Sequence, residues 1–247
     1  MRPLDPDLLL RAYAAGIFPM ADGRDARDVY WVEPKRRGVL PLDGFHLSRS
    51  LAKVLRSDRY AVTRDRAFAQ VIAACADTRV GAQGTWINAQ IEAACLELHA
   101  RGHAHSVECW EGEALVGGLY GVRLGGAFFG ESMFSLARDA SKVALAHLVA
   151  RLRVGGFCLL DCQFLTPHLA SLGAVEVPRQ AYMGLLGDAL SAGAGSGGAA
   201  EAGAPDFDAL ERRAGALLPD ADPAAAARVV AGPISGCVIA QLLGQTS

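Results

Sequence analysis

Hydrophobic and polar residues follow two rhythms along this chain, one typical of helices and one typical of strands. From Leu9 to Gly16, apolar and small residues recur at positions i, i+3, i+4 and i+7, which predicts an amphipathic helix. Asp5 can cap its start, Pro6 suits its first turn, and Gly16 suits its end. Further helices are predicted over His46–Arg56, Ala67–Ala76, Asn88–Ala100 and Ala140–Leu152.

Runs of apolar residues of strand length lie between these helices. They predict strands over Val29–Val32, Ala104–Trp110, Ala114–Arg123, Gly126–Phe129 and Phe157–Gln163. The polar segment Glu111–Glu113 separates two of these strands and predicts a hairpin turn. Meandering strands followed by a helix and another strand indicate an α+β fold on a mostly antiparallel sheet.

The chain divides into three predicted regions, residues 1–59, 60–186 and 187–247. The third region opens with Ser191–Pro205, which is almost entirely Gly, Ala and Ser and is typical of a flexible linker. An apolar segment, Val238–Leu243, lies near the end. The pattern leaves open whether this segment packs back on the body of the protein.

Composition narrows the class of protein. The 247 residues are half apolar, which is enough for a sizeable core, and the formal net charge of −2 favours no class of partner. No apolar run is long enough to cross a bilayer, and the N-terminus lacks the core of a signal peptide. The six cysteines form no C-x-x-C pair and the histidines are not spaced as ligands, so we expect a reduced cytoplasmic protein without a metal.

Three polar residues stand out inside apolar surroundings. Glu131 lies in the run Gly130–Ser135, between aromatic and sulfur-containing residues. Asp161 and Gln163 end a predicted strand, and residues i and i+2 of a strand point to the same face. We therefore expect Asp161 and Gln163 to be presented together and to be able to direct a proton.

Several motifs follow one another in a specific order from about residue 5 to residue 186. They are Ala14–Met20, Ser48–Leu51, Thr85–Ile87, His105–Glu108, Leu115–Gly121, Phe129–Ser135, Ala140–Leu145, Asp161–Gln163 and Thr166–Ala174. In this order they closely resemble the leucyl/phenylalanyl-tRNA–protein transferase family. The resemblance implies an acetyltransferase-like (GNAT-like) core with a mixed, mostly antiparallel sheet flanked by helices over 60–186, and a small N-terminal α/β domain over 1–59.

The resemblance also implies an activity. Members of the family move leucine or phenylalanine, with methionine as a further candidate, from aminoacyl-tRNA to the N-terminal amine of proteins that begin with Lys or Arg. The new N-terminus is then recognised by bacterial degradation machinery as an N-degron. Because the aminoacyl ester is already activated, no metal, nucleotide or other cofactor is expected. A monomer is expected because the sequence contains no coiled-coil heptads.

By resemblance, Asp161 and Gln163 are catalytic. The expected arrangement is Asp161 hydrogen-bonded to Gln163, whose side-chain oxygen receives the attacking amine. Glu131 is the third expected catalytic residue, because a buried carboxylate needs a partner such as the aminoacyl ammonium or the acceptor amine. A salt bridge to a neighbouring strand is the structural alternative for Glu131.

Two apolar residues match family positions assigned to the aminoacyl side chain. Phe128 and Met133 would border a dry slot for Leu or Phe, and a flexible thioether can fit both a branched and a flat side chain. Taken alone, both residues are more typical of an ordinary core.

Contacts to tRNA are expected from aromatic and basic residues. Trp31 and Trp86 match positions that stack on the terminal adenosine, although Trp31–Pro34 departs from the Trp-Trp-Ser-Pro pattern of many members. Within the predicted helix, Arg49, Lys53 and Arg56 fall on one face, which suits phosphate contacts. The full set of expected basic contacts is Lys35, Arg36, Arg37, Arg49, Lys53 and Arg56.

Two other functions are alternatives to aminoacyl transfer. A small-molecule N-acetyltransferase would need an R/Q-x-x-G-x-G/A segment for the CoA pyrophosphate, and Arg151–Gly156 does not have that spacing. A non-catalytic protein that binds tRNA ends would keep the tryptophans and the basic face. It would have no use for Asp161 and Gln163.

Overall fold

The computed structural model of the protein describes residues 3–77, 84–192, 204–216 and 233–244. The helices are α1 Pro6–Ala14, α2 Arg49–Arg56, α3 Phe68–Asp77, α4 Ala89–Ala100, α5 Ala140–Val154, α6 Pro167–Ser171, α7 Arg179–Ala192, α8 Ala209–Ala216 and α9 Gly236–Gly244. The strands are β1 Phe18–Met20, β2 Tyr30–Val32, β3 Arg36–Val39, β4 Ala61–Arg64, β5 Ala104–Glu111, β6 Ala114–Leu124, β7 Ala127–Ser135, β8 Leu159–Gln163 and β9 Val175–Pro178.

The strands form one large mixed sheet and one small ribbon. Strands β1 and β2 pair antiparallel, and the large sheet has the order β4-β5-β6-β7-β8-β3-β9. Within it, β7 and β8 run parallel, whereas the other neighbours are antiparallel. Helices flank both faces, and the predicted α+β class with a mostly antiparallel sheet is confirmed.

Local sequence signals account for several element boundaries. The Asp5 side chain accepts a hydrogen bond from the Asp7 amide at 2.9 Å and caps α1, while Gly16 adopts a φ of +73° just beyond the helix. The predicted hairpin is also present, since Glu111 pairs with Ala114 and Gly112 has a φ of +62°. These turns depend on residues close in sequence, so the pattern alone could predict them.

Strand β7 contains a bulge at Glu131. Gly121 pairs with Gly130 and Tyr120 pairs with Ser132, which leaves Glu131 as the additional residue on β7. Bulges of this kind redirect a side chain and are frequent beside active sites. The parallel pairing of β7 with β8 ends at Phe129 and Asp161, although β7 continues to Ser135.

Strand β3 was not predicted, and it changes the relation between the first two regions. It lies between β8 and β9, so Arg36–Val39 share a sheet with residues of the second region. The boundary predicted at residue 59 therefore does not separate two sheets. The third region also contributes to the body, because helix α9 packs against α2 and α5.

Buried apolar residues form two clusters. One contains most of α5 together with residues of α2, α8 and α9, and the other contains residues of α1, α3, α4 and α7. The docking of Val238–Leu243, left open by the sequence, is thus observed, while most of the predicted linker Ser191–Pro205 lies outside the described residues. None of the described helices is long and apolar enough to cross a membrane.

Candidate active site

A cavity of about 330 Å³ opens where the pairing of β7 with β8 ends. One part of its wall is aliphatic or sulfur-containing and consists of Leu119, Met133, Leu145, Leu148, Leu160, Cys162 and Leu169. Polar side chains form another part, namely Glu131, Ser132, Gln163, Thr166 and His168. The site can therefore hold an apolar group beside a polar reacting group.

Glu131 is the buried acid of this cavity. Glu131 is only 6% exposed. Its Oε1 atom accepts a hydrogen bond from Gln163 Nε2 at 2.8 Å, and its Oε2 atom has no hydrogen-bond partner among the described residues. Burial raises the pKa of Glu131 to about 7, the charge of Asp161 adds to the rise, and Tyr13 and Gln163 oppose it. Tyr13 is itself buried, and its hydroxyl interacts with the Glu131 carboxylate.

Asp161 lies behind the cavity and does not line it. Its carboxylate is completely buried and receives Arg37 Nε at 2.9 Å, Arg37 Nη2 at 2.7 Å and the Tyr182 hydroxyl at 2.7 Å. The Gln163 backbone amide donates to the same carboxylate at 2.7 Å. The expected hydrogen bond between Asp161 and Gln163 is therefore present through the Gln163 backbone, while the Gln163 carboxamide contacts Glu131.

Asp161 and Gln163 are two positions apart on β8, but their side chains bind different partners. Gln163 has a φ of +60°, so strand alternation ends at this residue. Its side chain reaches the cavity and Glu131, whereas the Asp161 side chain reaches Arg37 and Tyr182. Of the two residues, only Gln163 lines the cavity, and Asp161 holds the Gln163 backbone from behind.

Arg37 is a buried partner of Asp161, so its expected role in tRNA binding is corrected. It is 1% exposed, its guanidinium lies 4.5 Å from the Phe18 ring centre and 4.8 Å from that of Tyr182, and it donates to the Gly16 carbonyl at 3.3 Å. Burial lowers the pKa of Arg37, but the hydrogen bonds and charge of Asp161 outweigh burial and raise it overall. Solvent phosphates cannot reach a side chain enclosed in this way.

The chain matches known proteins over most of its length. The model of the leucyl/phenylalanyl-tRNA protein transferase family matches residues 39–187, and the model of the corresponding N-terminal domain matches residues 2–35. The chain belongs to the leucyl/phenylalanyl-tRNA–protein transferase family. It is therefore an aminoacyltransferase, and its family uses aminoacyl-tRNA and proteins as substrates.

Individual relatives agree with this membership. The chain is 65% identical to the leucyl/phenylalanyl-tRNA–protein transferase of Rhizorhabdus wittichii over the full length of both chains. It is 62% identical to that of Zymomonas mobilis over 76% of this chain and 70% of the relative. The solved structure of L-PGS from Bacillus licheniformis matches 68% of this chain and 56% of its own at 12% identity and a TM-score of 0.38, which does not define the fold.

The two residues expected at the aminoacyl side chain have different surroundings in this transferase. Met133 lines the cavity, as the resemblance implied. Phe128 is completely buried away from the cavity and stacks on Phe207, with ring centres 5.6 Å apart. The assignment of Phe128 is corrected, because its ring packs in the core and cannot contact a ligand of the cavity.

The tryptophans also differ. Trp86 is 9% exposed and lines the cavity, whereas Trp31 is 39% exposed on β2 and does not line it.

Most of the expected basic tRNA contacts are exposed. Lys35, Arg49, Lys53 and Arg56 are exposed, and no ion pair is found for them among the described residues. Arg36 is exposed as well, but it is paired with Glu176.

Sequence reasoning missed several residues of the site. Tyr182 holds Asp161, and the buried Ser132 hydroxyl has no hydrogen-bond partner among the described residues although Ser132 lines the cavity. Leu145 and Leu148 lie on a helix recognised by its spacing, but spacing does not distinguish a cavity wall from a core. The burial of Arg37 could have been inferred from its position directly before the apolar run Gly38–Leu40.

Proposed function

We propose that the protein transfers leucine or phenylalanine, with methionine as a further donor, from aminoacyl-tRNA to the N-terminal amine of proteins that begin with Lys or Arg. The products would enter N-degron degradation in the cytoplasm. One observation carries the proposal: a single cavity joins an aliphatic wall to the buried carboxylate of Glu131. We also propose an acetyltransferase-like (GNAT-like) core, supported by the mixed sheet that opens beside its parallel pair, and a monomeric enzyme.

The aliphatic wall suits the donor side chain. Leu119, Met133, Leu145 and Leu148 surround that end of the cavity without a charged group. A leucyl or phenylalanyl side chain gains free energy by leaving water there, whereas a charged side chain would lose its hydration without a partner. Met133 can adapt to either shape because its thioether chain is flexible.

The polar wall suits the transfer step. The acceptor amine attacks the ester carbonyl carbon, so a C–N bond forms while the carbonyl oxygen gains negative charge. Glu131 takes the proton of the attacking amine, and a base with a pKa of about 7 is well matched to this task near neutral pH. The C–O bond to the ribose then breaks, and the departing ribose oxygen recovers the proton from Glu131. No cofactor enters this balance.

Ser132 supplies a hydrogen-bond donor for the carbonyl oxygen. Buried hydroxyl groups nearly always have a partner, and that of Ser132 has none among the described residues. Its place beside Glu131 in the cavity wall suits donation to the carbonyl oxygen as charge develops there.

Asp161 acts as a positioning residue in this scheme. It fixes the Gln163 backbone amide, and the Gln163 carboxamide in turn fixes Glu131 Oε1. A non-glycine residue at positive φ costs about 1–3 kcal/mol and persists where its surroundings enforce it. Arg37 and Tyr182 provide that enforcement by holding Asp161.

Binding of the tRNA is supported by two separate features. Trp86 offers an aromatic face in the cavity wall for the terminal adenosine. Arg49, Lys53 and Arg56 are exposed on α2 and can neutralise phosphates of the tRNA body.

A transfer assay tests the proposal. The enzyme is incubated with radiolabelled Phe-tRNA and a peptide that begins with Arg, and the same peptide with an acetylated N-terminus is the control. We expect label on the free peptide alone. Binding of tRNA without transfer would favour a protein that only binds tRNA ends, and a thermal shift with acetyl-CoA would favour an acetyltransferase.

A further inference from the structure

The C-terminal helix α9 packs on the inner side of the basic helix α2. Ile239, Ala240 and Leu243 of α9 belong to the same buried apolar cluster as Leu51 and Leu55 of α2. The family match ends at residue 187, so α9 lies outside the matched region. Helix α9 nevertheless forms part of the apolar surface against which α2 packs.

The turn that follows α2 is bonded directly to the start of α9. The Asp58 carboxylate accepts hydrogen bonds from the Gly236 amide at 2.6 Å and from the Ser235 hydroxyl at 3.0 Å. Gly236 is also needed for the close approach, because a Cβ at this position would lie 2.0 Å from the Leu55 carbonyl oxygen. The contact therefore fixes the distance between the two helices.

A second tie joins the other end of α9 to the segment that leads into α2. Arg153 of α5 donates to the Leu242 carbonyl at 3.2 Å and forms an ion pair with Asp43 at 3.1 Å. Asp43 lies in the 3₁₀ turn Leu42–Gly44, which precedes α2. Both ends of the segment 43–58 are thus connected to α9.

We propose that α9 is a brace that holds the basic face of α2 where it binds the phosphates of the tRNA body. The inference rests on the proposed binding of tRNA by Arg49, Lys53 and Arg56. Helix α9 carries no charged residue, so its contribution is one of position. Isolated helices as short as α2 are marginal in water, and holding a binding surface in place in advance lowers the entropic cost of binding.

The first test is Gly236→Ala, with Gly244→Ala as the matched control. Both glycines belong to α9, but a Cβ at Gly244 would meet no atom of the described residues within 4 Å. For Gly236→Ala we expect the dissociation constant for uncharged tRNA to rise about tenfold, and the slope of log K against log salt to weaken by about 1. The control should bind as the wild type does.

The second test compares two donors in the transfer assay, Phe-tRNA and phenylalanyl-adenosine. Phenylalanyl-adenosine reaches the cavity but has no tRNA body. Gly236→Ala should lower kcat/KM about tenfold with Phe-tRNA through KM, and leave kcat/KM with phenylalanyl-adenosine unchanged. If the wild type binds tRNA but transfers from neither donor, the proposed transfer function fails, and the binding measurement still tests the brace.

Two results would overturn the brace. One is wild-type affinity of Gly236→Ala for tRNA, and the other is an equal loss of kcat/KM with both donors, which would place the defect in the cavity. Should Gly236→Ala not fold, Asp58→Asn decides by the same criteria. Asn tolerates the φ of +45° at this position but accepts the two hydrogen bonds more weakly.

Discussion

Arg36 and Arg37 are neighbours with the same side chain and opposite surroundings. Strand alternation turns Arg36 to solvent, where it pairs with the partly exposed Glu176, and turns Arg37 into the protein, where it pairs with the buried Asp161. An exposed pair contributes little because water and salt screen it, but removal of one partner of a buried pair leaves an isolated charge. Two adjacent positions therefore provide a direct comparison of these environments.

Replacing each arginine by alanine should separate the two roles. Arg37→Ala should lower the free energy of unfolding by about 3–5 kcal/mol, because Asp161 would stay buried without its partner. Arg36→Ala should cost about 0–1 kcal/mol. Urea denaturation measures both values, and equal values for the two variants would contradict the burial of Arg37.

Glu131 should lower the free energy of unfolding at the pH values at which its carboxylate is charged. Its folded-state pKa of about 7 lies above the ordinary value of 4.5, so the folded state binds more protons between these values and stability falls as pH rises through this window. Above pH 7 the full cost, about 3 kcal/mol, is present. Glu131→Gln should thus be more stable than the wild type at pH 8, by up to that amount, and similar at pH 4.

Activity should rise with pH over the range in which stability falls. The kcat/KM of the wild type should rise with pH through an apparent pKa near 7, because Glu131 must be unprotonated to accept the proton. Glu131→Gln should lose about 100-fold or more in kcat while retaining tRNA affinity. A variant that keeps the wild-type rate and pH profile would show that Glu131 is not the base.

At the scale of elements, local patterns predicted what local physics decides. The capped helix α1, the hairpin between β5 and β6, and helix α5 follow from residues close in sequence, and all were predicted near their observed bounds. Strand β3 was missed because four residues with two arginines resemble a surface loop. Its place depends on β8 and β9, more than 100 residues further along the chain, and sequence periodicity carries no information on such pairing.

The sequence also predicted only part of the site. Glu131, Gln163, Met133 and Trp86 were expected there, and the structure brings all four to one cavity. Asp161 lies behind the cavity, because Arg37 and Tyr182 bind its carboxylate there and neither partner is close to it in sequence. Phe128 and Met133 lie on β7 and pack against the same apolar cluster, and sequence spacing does not tell which of them borders the cavity.

Strand β7 allows the cavity and the core to be tested separately. Met133→Ala should weaken discrimination between Phe and Leu donors, because a side chain that touches the donor is removed while tRNA affinity is retained. Phe128→Ala should instead lower stability by about 3–5 kcal/mol and leave the ratio of kcat/KM for the two donors unchanged. Competition between Phe-tRNA and Leu-tRNA measures the ratio; a shifted ratio in Phe128→Ala would place Phe128 in the cavity after all.

For the whole molecule, the C-terminal region is a part of the fold. Arg151 of α5, itself buried, donates to Glu211 of α8 at 2.6 Å and to the Phe207 carbonyl at 2.7 Å. Arg64 of β4 also pairs with Glu211, at 3.2 Å. Segments far apart in the chain thus share one charged cluster. Loss of the C-terminal region would expose the Arg151 side chain and the surface around it.

Phe207 attaches the C-terminal region to the body of the protein through its buried ring. Its ring is 1% exposed, stacks on His105 and Phe128 at 4.1 and 5.6 Å, and meets the edge of Phe157 at 6.3 Å. Phe207→Ala should therefore lower the free energy of unfolding by about 3–5 kcal/mol, the range for removing a buried aromatic ring. Urea denaturation gives this value.

The exposed Leu185 provides the control, since Leu185→Ala removes an apolar side chain that is 43% exposed and should cost far less. None of the ring contacts of Phe207 lines the cavity, so Phe207→Ala should keep the wild-type kcat/KM with phenylalanyl-adenosine at a temperature where it stays folded. Hydrogen exchange should show faster exchange in α8 than in β7, because loss of the ring releases the C-terminal segment first. Unaltered exchange in α8 together with wild-type stability would mean that the segment is held by its charged contacts alone.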